Sequence, residues 1–338
     1  MSEAVGIGVA GYGYWGPNLV RNFAEVESGR LVAVCDANPK RLSLVARRYP
    51  GVKVYPDFDE MLRNPEIQAV AVATPVNTHF PLARRVLESG RHVLVEKPMA
   101  ATIAEAEELI ALARTRGLVL MVDHTFIYTG AVRKIREMVA AGELGDLYYY
   151  DGVRINLGLF QHDVNVLWDL AIHDLSILDF VVGRKLIAVS GTGISHIPGQ
   201  PENIAYLTLF FESNLIAHLH VNWLAPVKIR RTLICGSQKM IVYDDLNPSE
   251  KIRIYDKGVD WVQSPEKIYQ MLISYRTGDA WMPKLDTTEA LTVEARHFIE
   301  CIQKEATPLS DGHAGLRTLR ILHAAGESMR RRGESVTL

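Results

Sequence analysis

The chain has only three cysteines, Cys35, Cys235 and Cys301, and they are far apart with no Cys-x-x-Cys pair. That number and spacing support neither a disulfide framework nor a zinc cage, so no metal is expected. A charge of one sign is also missing, since 37 basic side chains face 39 acidic ones for a net charge of -2. Nucleic-acid-binding domains usually carry a basic excess, which argues against a nucleic-acid partner. No apolar run approaches the roughly 20 residues of a membrane span. The start, Met1-Ser2-Glu3-Ala4, lacks the basic flank and apolar core of a cleaved signal. A cytoplasmic protein with no membrane partner is the expectation. What is present is ordinary in amount. The 338 residues are 48% hydrophobic and 22% charged, enough to build two domains with real cores.

The first part alternates short apolar runs with amphipathic stretches. Strands are expected at Gly6–Ala10, Leu31–Cys35, Val52–Tyr55, Ala69–Ala73, His92–Val95 and Val119–Val122. Helical patterns lie between them, for example Ile103 to Arg116, closed by Gly117. Such alternation implies βαβ units and a doubly wound parallel sheet. Near Asp123 the rhythm changes. After a helix at 131–141, period-2 strands dominate at 147–155, 205–211, 215–222, 229–235 and 240–243. They read as a large, mostly antiparallel, open-faced sheet. A helix at 167–182 interrupts them, and two more at about 288–331 close the chain. The fold class is therefore α/β: an N-terminal Rossmann domain over 1–123, then an α+β domain over 124–338 for substrate and oligomerisation.

Gly11-Tyr12-Gly13-Tyr14-Trp15-Gly16 follows the first strand and opens a helix. Both contexts are what the dinucleotide fingerprint requires. Gly11 makes the tight turn, Gly13 lets backbone approach the pyrophosphate, and Gly16 lets helix pack on strand. Tyr14 and Trp15 fall inside the same loop. The helix N-terminus supplies free N–H groups for phosphate. Asp36 ends the second strand 20 residues past Gly16, placed to accept from the adenosine ribose hydroxyls and to repel a 2′-phosphate. NAD is therefore preferred over NADP, although Arg41 could bind a phosphate or stack on adenine. Thr74-Pro75-Val76-Asn77-Thr78-His79 ends the fourth strand at the same sheet edge. Asn77 and His79 are candidates for the ribose or nicotinamide end, or else Asn77 or Thr78 caps a helix starting at Pro81. Glu96-Lys97-Pro98 ends the fifth strand and aims an ammonium at that edge.

These motifs, with Trp168-Asp169-Leu170-Ala171-Ile172-His173-Asp174 downstream, resemble the Gfo/Idh/MocA oxidoreductases. The resemblance covers nearly the whole chain. One departure is Asp174, an acid directly after His173. The resemblance implies a Rossmann domain followed by an open-sheet domain that makes a homodimer or homotetramer. It maps the family's lysine onto Lys97, its aspartate onto Asp169 and its histidine onto His173, with lysine and histidine at the substrate hydroxyl. The residue chemistry agrees. Oxidising an alcohol carbon needs an acceptor for the hydroxyl proton, and histidine, with an unperturbed pKa of about 6.5, suits neutral pH. Asp169 lies four residues before His173, on the same face of a helix. Lys97 could stabilise developing alkoxide charge.

Further candidates for substrate contact are His124 at the domain junction, and Arg154, Asn156 and His162 in the stretch leading to His173. His218-x-His220 superficially suggests a metal, but no third ligand follows at usable spacing. The glycine loop and Asn156-Leu157-Gly158-Leu159-Phe160 look most like the sugar-nucleotide and polysaccharide biosynthesis branch. The expected reaction is hydride exchange between NAD and a secondary hydroxyl of a nucleotide-linked sugar, with C3 favoured. A free polyol or inositol is the rival substrate. A non-catalytic NAD-binding regulator is the rival of another class, and it would not need Lys97 and His173 together.

Overall fold

The computed structural model describes residues 4–158, 164–261 and 273–338. His162, Leu159 and Phe160 lie outside the described residues. Two compact units emerge, one of residues 1–129 with 288–320, the other of 130–287 with 321–338.

The first unit is built on a six-stranded parallel sheet. Its strands are β1 (Val5–Ala10), β2 (Gly29–Cys35), β3 (Lys53–Tyr55), β4 (Ala69–Val72), β5 (His92–Glu96) and β6 (Leu120–Asp123). They lie in the order β3-β2-β1-β4-β5-β6, and all run the same way. Every residue of β1, β4 and β6 is buried, as a sheet covered on both faces requires. The crossover helices are α1 (Gly16–Glu25), α2 (Pro39–Arg48), α3 (Phe58–Leu62), α4 (His79–Glu88) and α5 (Ile103–Arg116). Helix α5 starts in a capping box between Thr102 and Glu105 and ends at Gly117 in the left-handed region, φ 64°. Each device satisfies terminal groups that the helix leaves without partners.

The second unit contains α6 (Gly130–Ala140), α7 (Ile172–Val182) and a nine-stranded sheet. Its strands are β7 (Leu147–Leu157), β8 (Leu186–Ile194), β9 (Ile204–Phe211), β10 (Ile216–Asn222), β11 (Leu224–Gly236), β12 (Met240–Asp244) and β13 (Ile252–Tyr255). A separate hairpin, β14 (Gly258–Trp261) with β15 (Ile273–Arg276), precedes the short edge strands β16 (Ala280–Trp281) and β17 (Val336–Thr337). The order is β16-β13-β12-β11-β7-β10-β9-β8-β17. All neighbours are antiparallel except β7 and β10, so the expected fold class holds. Strand β8, with two interior glycines, and the short strands after β12 carry too little period-2 signal to be read from sequence.

The closing helices depart from expectation. Sequence reading assigns both to the second domain. Instead α8 (Ala290–Lys304) is built onto the Rossmann unit. Phe298 meets Phe23 of α1 edge to face, ring centroids 6.4 Å apart. Glu289, at the N-cap, takes a two-pronged ion pair from Arg21 of α1. Thr292 Oγ1 donates to the buried Asn22 Oδ1 at 2.6 Å. The physical reason is that α8 buries an apolar face of its own, with Leu291, Ala295, Phe298 and Ile299, and α1 supplies part of its cover. The last helix, α9 (Gly312–Arg330), is shared between the units. Among the described residues no helix is long and apolar enough to cross a membrane. Phe298→Ala should cost about 3–5 kcal/mol of stability, measured by urea denaturation. A loss no larger than that of a surface substitution would show that α8 does not help to build the first unit.

Candidate functional site

At the carboxyl edge of the parallel sheet, β1 runs into the glycine loop. The Gly11 N–H donates to the Cys35 carbonyl at 2.8 Å. Gly11 has φ 95°, and a Cβ there would strike the Ala73 carbonyl oxygen. A Cβ on Gly16 would strike the Gly11 carbonyl oxygen. Gly13 differs, because the nearest chain atom to a Cβ there is the Arg41 guanidinium at 3.8 Å. Gly11 and Gly16 are thus required by the chain's own packing, whereas Gly13 leaves open a backbone approach that suits a pyrophosphate. Helix α1 starts next, with Pro in its first turn and no side-chain cap from Trp15. The positive end of the helix faces this loop, which suits an anion. Tyr14 is fully exposed beside them.

Asp36, largely buried, accepts from the Tyr12 N–H through Oδ2 and from the Asn38 N–H through Oδ1, both at 2.7 Å. Arg41 pairs with Oδ2 at 3.3 Å. Arg41 is thereby matched to a carboxylate rather than left as a phosphate clamp, which favours NAD. These residues fit the dinucleotide on observations of the chain itself.

The loop after β4 is tied down locally. Thr78 Oγ1 lies 2.7 Å from both Thr74 Oγ1 and the Pro75 carbonyl. The capping alternative fails, because α4 starts at His79 and Thr78 lends it no side-chain cap. Asn77 is exposed at this edge. His79 is buried with Nδ1 2.8 Å from the Pro98 carbonyl and Nε2 2.8 Å from the Thr74 carbonyl. Both ring nitrogens face backbone carbonyls, to one of which the neutral ring donates, so neither is turned to a ligand and direct contact with ribose or nicotinamide is corrected. His79 is instead a clamp joining the Thr74 loop to the Lys97-Pro98 turn. Burial lowers its pKa against the pull of the two carbonyls.

Lys97 follows β5. Glu96 pairs in register with Asp123 of β6. Burial, then Asp123, pushes the Glu96 carboxyl well up. Burial also raises Asp123, against the hydrogen bonds it accepts. Trp15 Nε1 donates to Asp123 Oδ2 at 2.8 Å, and Thr125 Oγ1 donates to Oδ1 at 2.5 Å. Trp15 thus belongs to the site through its indole, a role that a loop motif alone does not reveal. His124 is buried with neither ring nitrogen hydrogen-bonded, and burial followed by Lys97 drives its pKa down to about 3. It is therefore neutral at physiological pH.

In the second unit, Asp169 sits just before the regular helix begins and His173 in the first turn of α7. Leu167–Ala171 forms one π-helical turn that runs into α7. Single π turns are frequent at functional sites, and no periodicity in the sequence announces this one. Both side chains are half-buried. Asp169 Oδ2 accepts from the buried Trp223 Nε1 at 2.9 Å. Gly158 lies against that indole, where a Cβ would collide with the ring, and its N–H donates to the Trp223 carbonyl at 3.0 Å. Trp223 is a positioning residue the sequence reading missed.

Asp174 explains the departure after His173. It is buried and takes a two-pronged ion pair from Arg154, Nε to Oδ2 at 2.6 Å and Nη2 to Oδ1 at 3.2 Å. This corrects the expectation that Arg154 touches substrate. Its guanidinium, 3% exposed, pins α7 to β7. Asn156 is half-buried two residues on. His218 and His220 stack on Tyr206 along the outer sheet face, with His220 4.4 Å from it. No group of three candidate metal ligands occurs among the described residues.

A glycine loop feeding a helix, an acid ending β2 and a lysine ending β5 define a dinucleotide-dependent oxidoreductase. Residues 5–124 match the model of the oxidoreductase family with an NAD-binding Rossmann fold, and residues 132–242 match the GFO/IDH/MocA C-terminal domain. The chain belongs to the Gfo/Idh/MocA family and is an NAD-dependent oxidoreductase acting on CH–OH groups. It is 28% identical to the UDP-N-acetylglucosamine 3-dehydrogenase of Acidithiobacillus ferrooxidans, over 92% of this chain and 93% of that one. A solved structure of that enzyme, GnnA, superposes with a TM-score of 0.83 at 25% identity, covering 98% of this chain and 99% of that one. The scyllo-inositol 2-dehydrogenase (NAD(+)) of Bacillus subtilis is 26% identical, over 96% of this chain and 93% of that one.

Gly13 and Gly16 separate in a test. Gly13→Ala should weaken NAD binding in calorimetry while the melting temperature without NAD stays at the wild-type value. Gly16→Ala should lower that melting temperature. Equal effects of both substitutions on the NAD-free protein would contradict the assignment of Gly13 to the cofactor.

Proposed function

We propose that this protein exchanges hydride between NAD and C3 of a nucleotide-linked sugar. The observation that carries the reading is the placement of Lys97 at the end of β5, on the same sheet edge as the open cradle at Gly13. The name of the Acidithiobacillus ferrooxidans relative supports the substrate class and the carbon. NAD, held by the Gly11–Gly16 loop and Asp36, would supply the hydride acceptor for the carbinol carbon, or the donor in the reverse direction. In the proposed chemistry His173 takes the hydroxyl proton at an imidazole nitrogen. Asp169, oriented by Trp223, fixes that ring or a neighbouring hydroxyl. Lys97 Nζ stabilises the negative charge that builds on the substrate oxygen. His79 holds the turn that presents Lys97. Asn77 is assigned to the cofactor and Asn156 to the sugar. A free cyclitol is the second reading, favoured by the scyllo-inositol relative.

A panel of nucleotide sugars and cyclitols, scored by NADH absorbance with enzyme at stoichiometric concentration, decides between them. Turnover of nucleotide sugars is expected, and turnover of cyclitols alone would refute the reading. Lys97→Met should lower kcat by about 10²–10⁴-fold with NAD still bound in calorimetry. An unchanged kcat would remove Lys97 from the chemistry.

We also propose that a second copy of this chain covers the outer sheet face. Ile194, Tyr206, Ile216 and Ile229 all point out of that face and are more than a third exposed. They lie on adjacent or near strands, between inward residues that are buried. Sedimentation at micromolar concentration should show a dimer or tetramer. A monomer would contradict the proposal.

A further inference from the structure

Glu294 has no role in the reading above, yet α8 carries it into the interior of the first unit with none of its area exposed. Neither carboxyl oxygen has a hydrogen-bond donor. A buried carboxylate left in that condition is costly. Its carboxyl nevertheless lies within hydrogen-bonding reach of Asp123 and Thr125. Thr125 spends its hydroxyl proton on Asp123. Two carboxyls that face each other with no donor between them are satisfied by one shared proton. Asp123 already accepts from Trp15 and Thr125, which favours its ionised form. Glu294 accepts from nothing, so the proton belongs on Glu294.

We infer that Glu294 is a positioning residue for the cofactor loop: as a neutral acid it donates to the Asp123 carboxylate, whose Oδ2 holds the Trp15 indole and with it Gly13 and Gly16. The chain of contacts runs from α8 through Asp123 at the end of β6 to the loop after β1. It explains why a tryptophan stands inside the glycine loop. It also accounts for a carboxyl pair in a dry interior that otherwise has no compensation. The inference rests on NAD binding, not on the identity of the substrate.

The surroundings agree with a neutral Glu294. Facing it are Asp123 from β6, Glu96 from β5, the Thr125 hydroxyl and the Tyr128 phenol. Lys97 acts on Asp123 and Glu96, and the buried His124 is uncharged. Burial, followed by Asp123, holds the Glu294 carboxyl well above the usual carboxylate range. A carboxyl whose pKa is raised by folding contributes stability that is fully present below its unfolded pKa, near 4.3, and is lost as pH rises through the folded value. A group working as a carboxylate has the opposite dependence.

The test uses the full chain, with NAD affinity from calorimetry and melting temperature from pH 5.5 to 8.5. Glu294→Gln keeps a donor for Asp123 but cannot ionise, and Glu294→Leu keeps neither. Glu294→Leu should raise the dissociation constant for NAD about tenfold, the size of one hydrogen bond to a charged group. Glu294→Gln should restore it to near the wild-type value. Relative to wild type, the melting temperature of Glu294→Gln should rise as pH goes from 5.5 to 8.5. Trp15→Phe, which cuts the link but leaves the carboxyl pair intact, should weaken NAD as Glu294→Leu does, and it serves if the leucine variant does not fold. NAD affinity unchanged in Trp15→Phe would overturn the inference. So would a glutamine variant as weak as the leucine one, or one that loses stability relative to wild type towards pH 8.5.

Discussion

The strand order β3-β2-β1-β4-β5-β6, with every strand parallel, brings the ends of β1, β4, β5 and β6 to one edge. That constraint organises the first unit. It places the glycine loop, the Thr74 loop, Lys97 and Asp123 side by side although they are scattered over the first third of the chain. An edge of this kind is the general ligand site of open α/β sheets. Here it is also where ionisable side chains collect, with Glu96, Asp123, Lys97 and Glu294 all at or behind it.

Burial at that edge converts polar residues into scaffold. Trp15, His79 and Asp123 spend their hydrogen bonds on the chain and not on a ligand. In the second unit Trp223 and the Arg154–Asp174 pair do the same for Asp169 and α7. Reactive groups must be held to fractions of an ångström to be effective, and these second contacts supply the hold. Residues left with open approach are fewer, and Gly13 and Asn77 are the clearest in the first unit.

Much of this could be read from the sequence. All six strands of the parallel sheet were legible because fully buried strands appear as short apolar runs bounded by turns. The glycine loop, Asp36 and Lys97 were legible because each sits at a strand end, where motif and topology coincide. Partner choices were not legible. Trp15 finds Asp123 across 108 residues of sequence, and Trp223 finds Asp169 across 54. His79 and Arg154 look ligand-facing in the sequence, because polarity alone does not say whether backbone or an internal carboxylate will claim a side chain. The return of α8 to the first unit was hidden for the same reason: an amphipathic pattern shows that a helix has an apolar face but not what that face covers.

The central claim is that this edge carries out hydride transfer to NAD from a carbon of a nucleotide-linked sugar. Mass spectrometry of the cofactor after a single turnover with UDP-N-acetylglucosamine deuterated at C3 tests it most directly. The account predicts that the reduced cofactor carries one deuterium. Reduced cofactor without deuterium, or no reduction at stoichiometric enzyme, would contradict it.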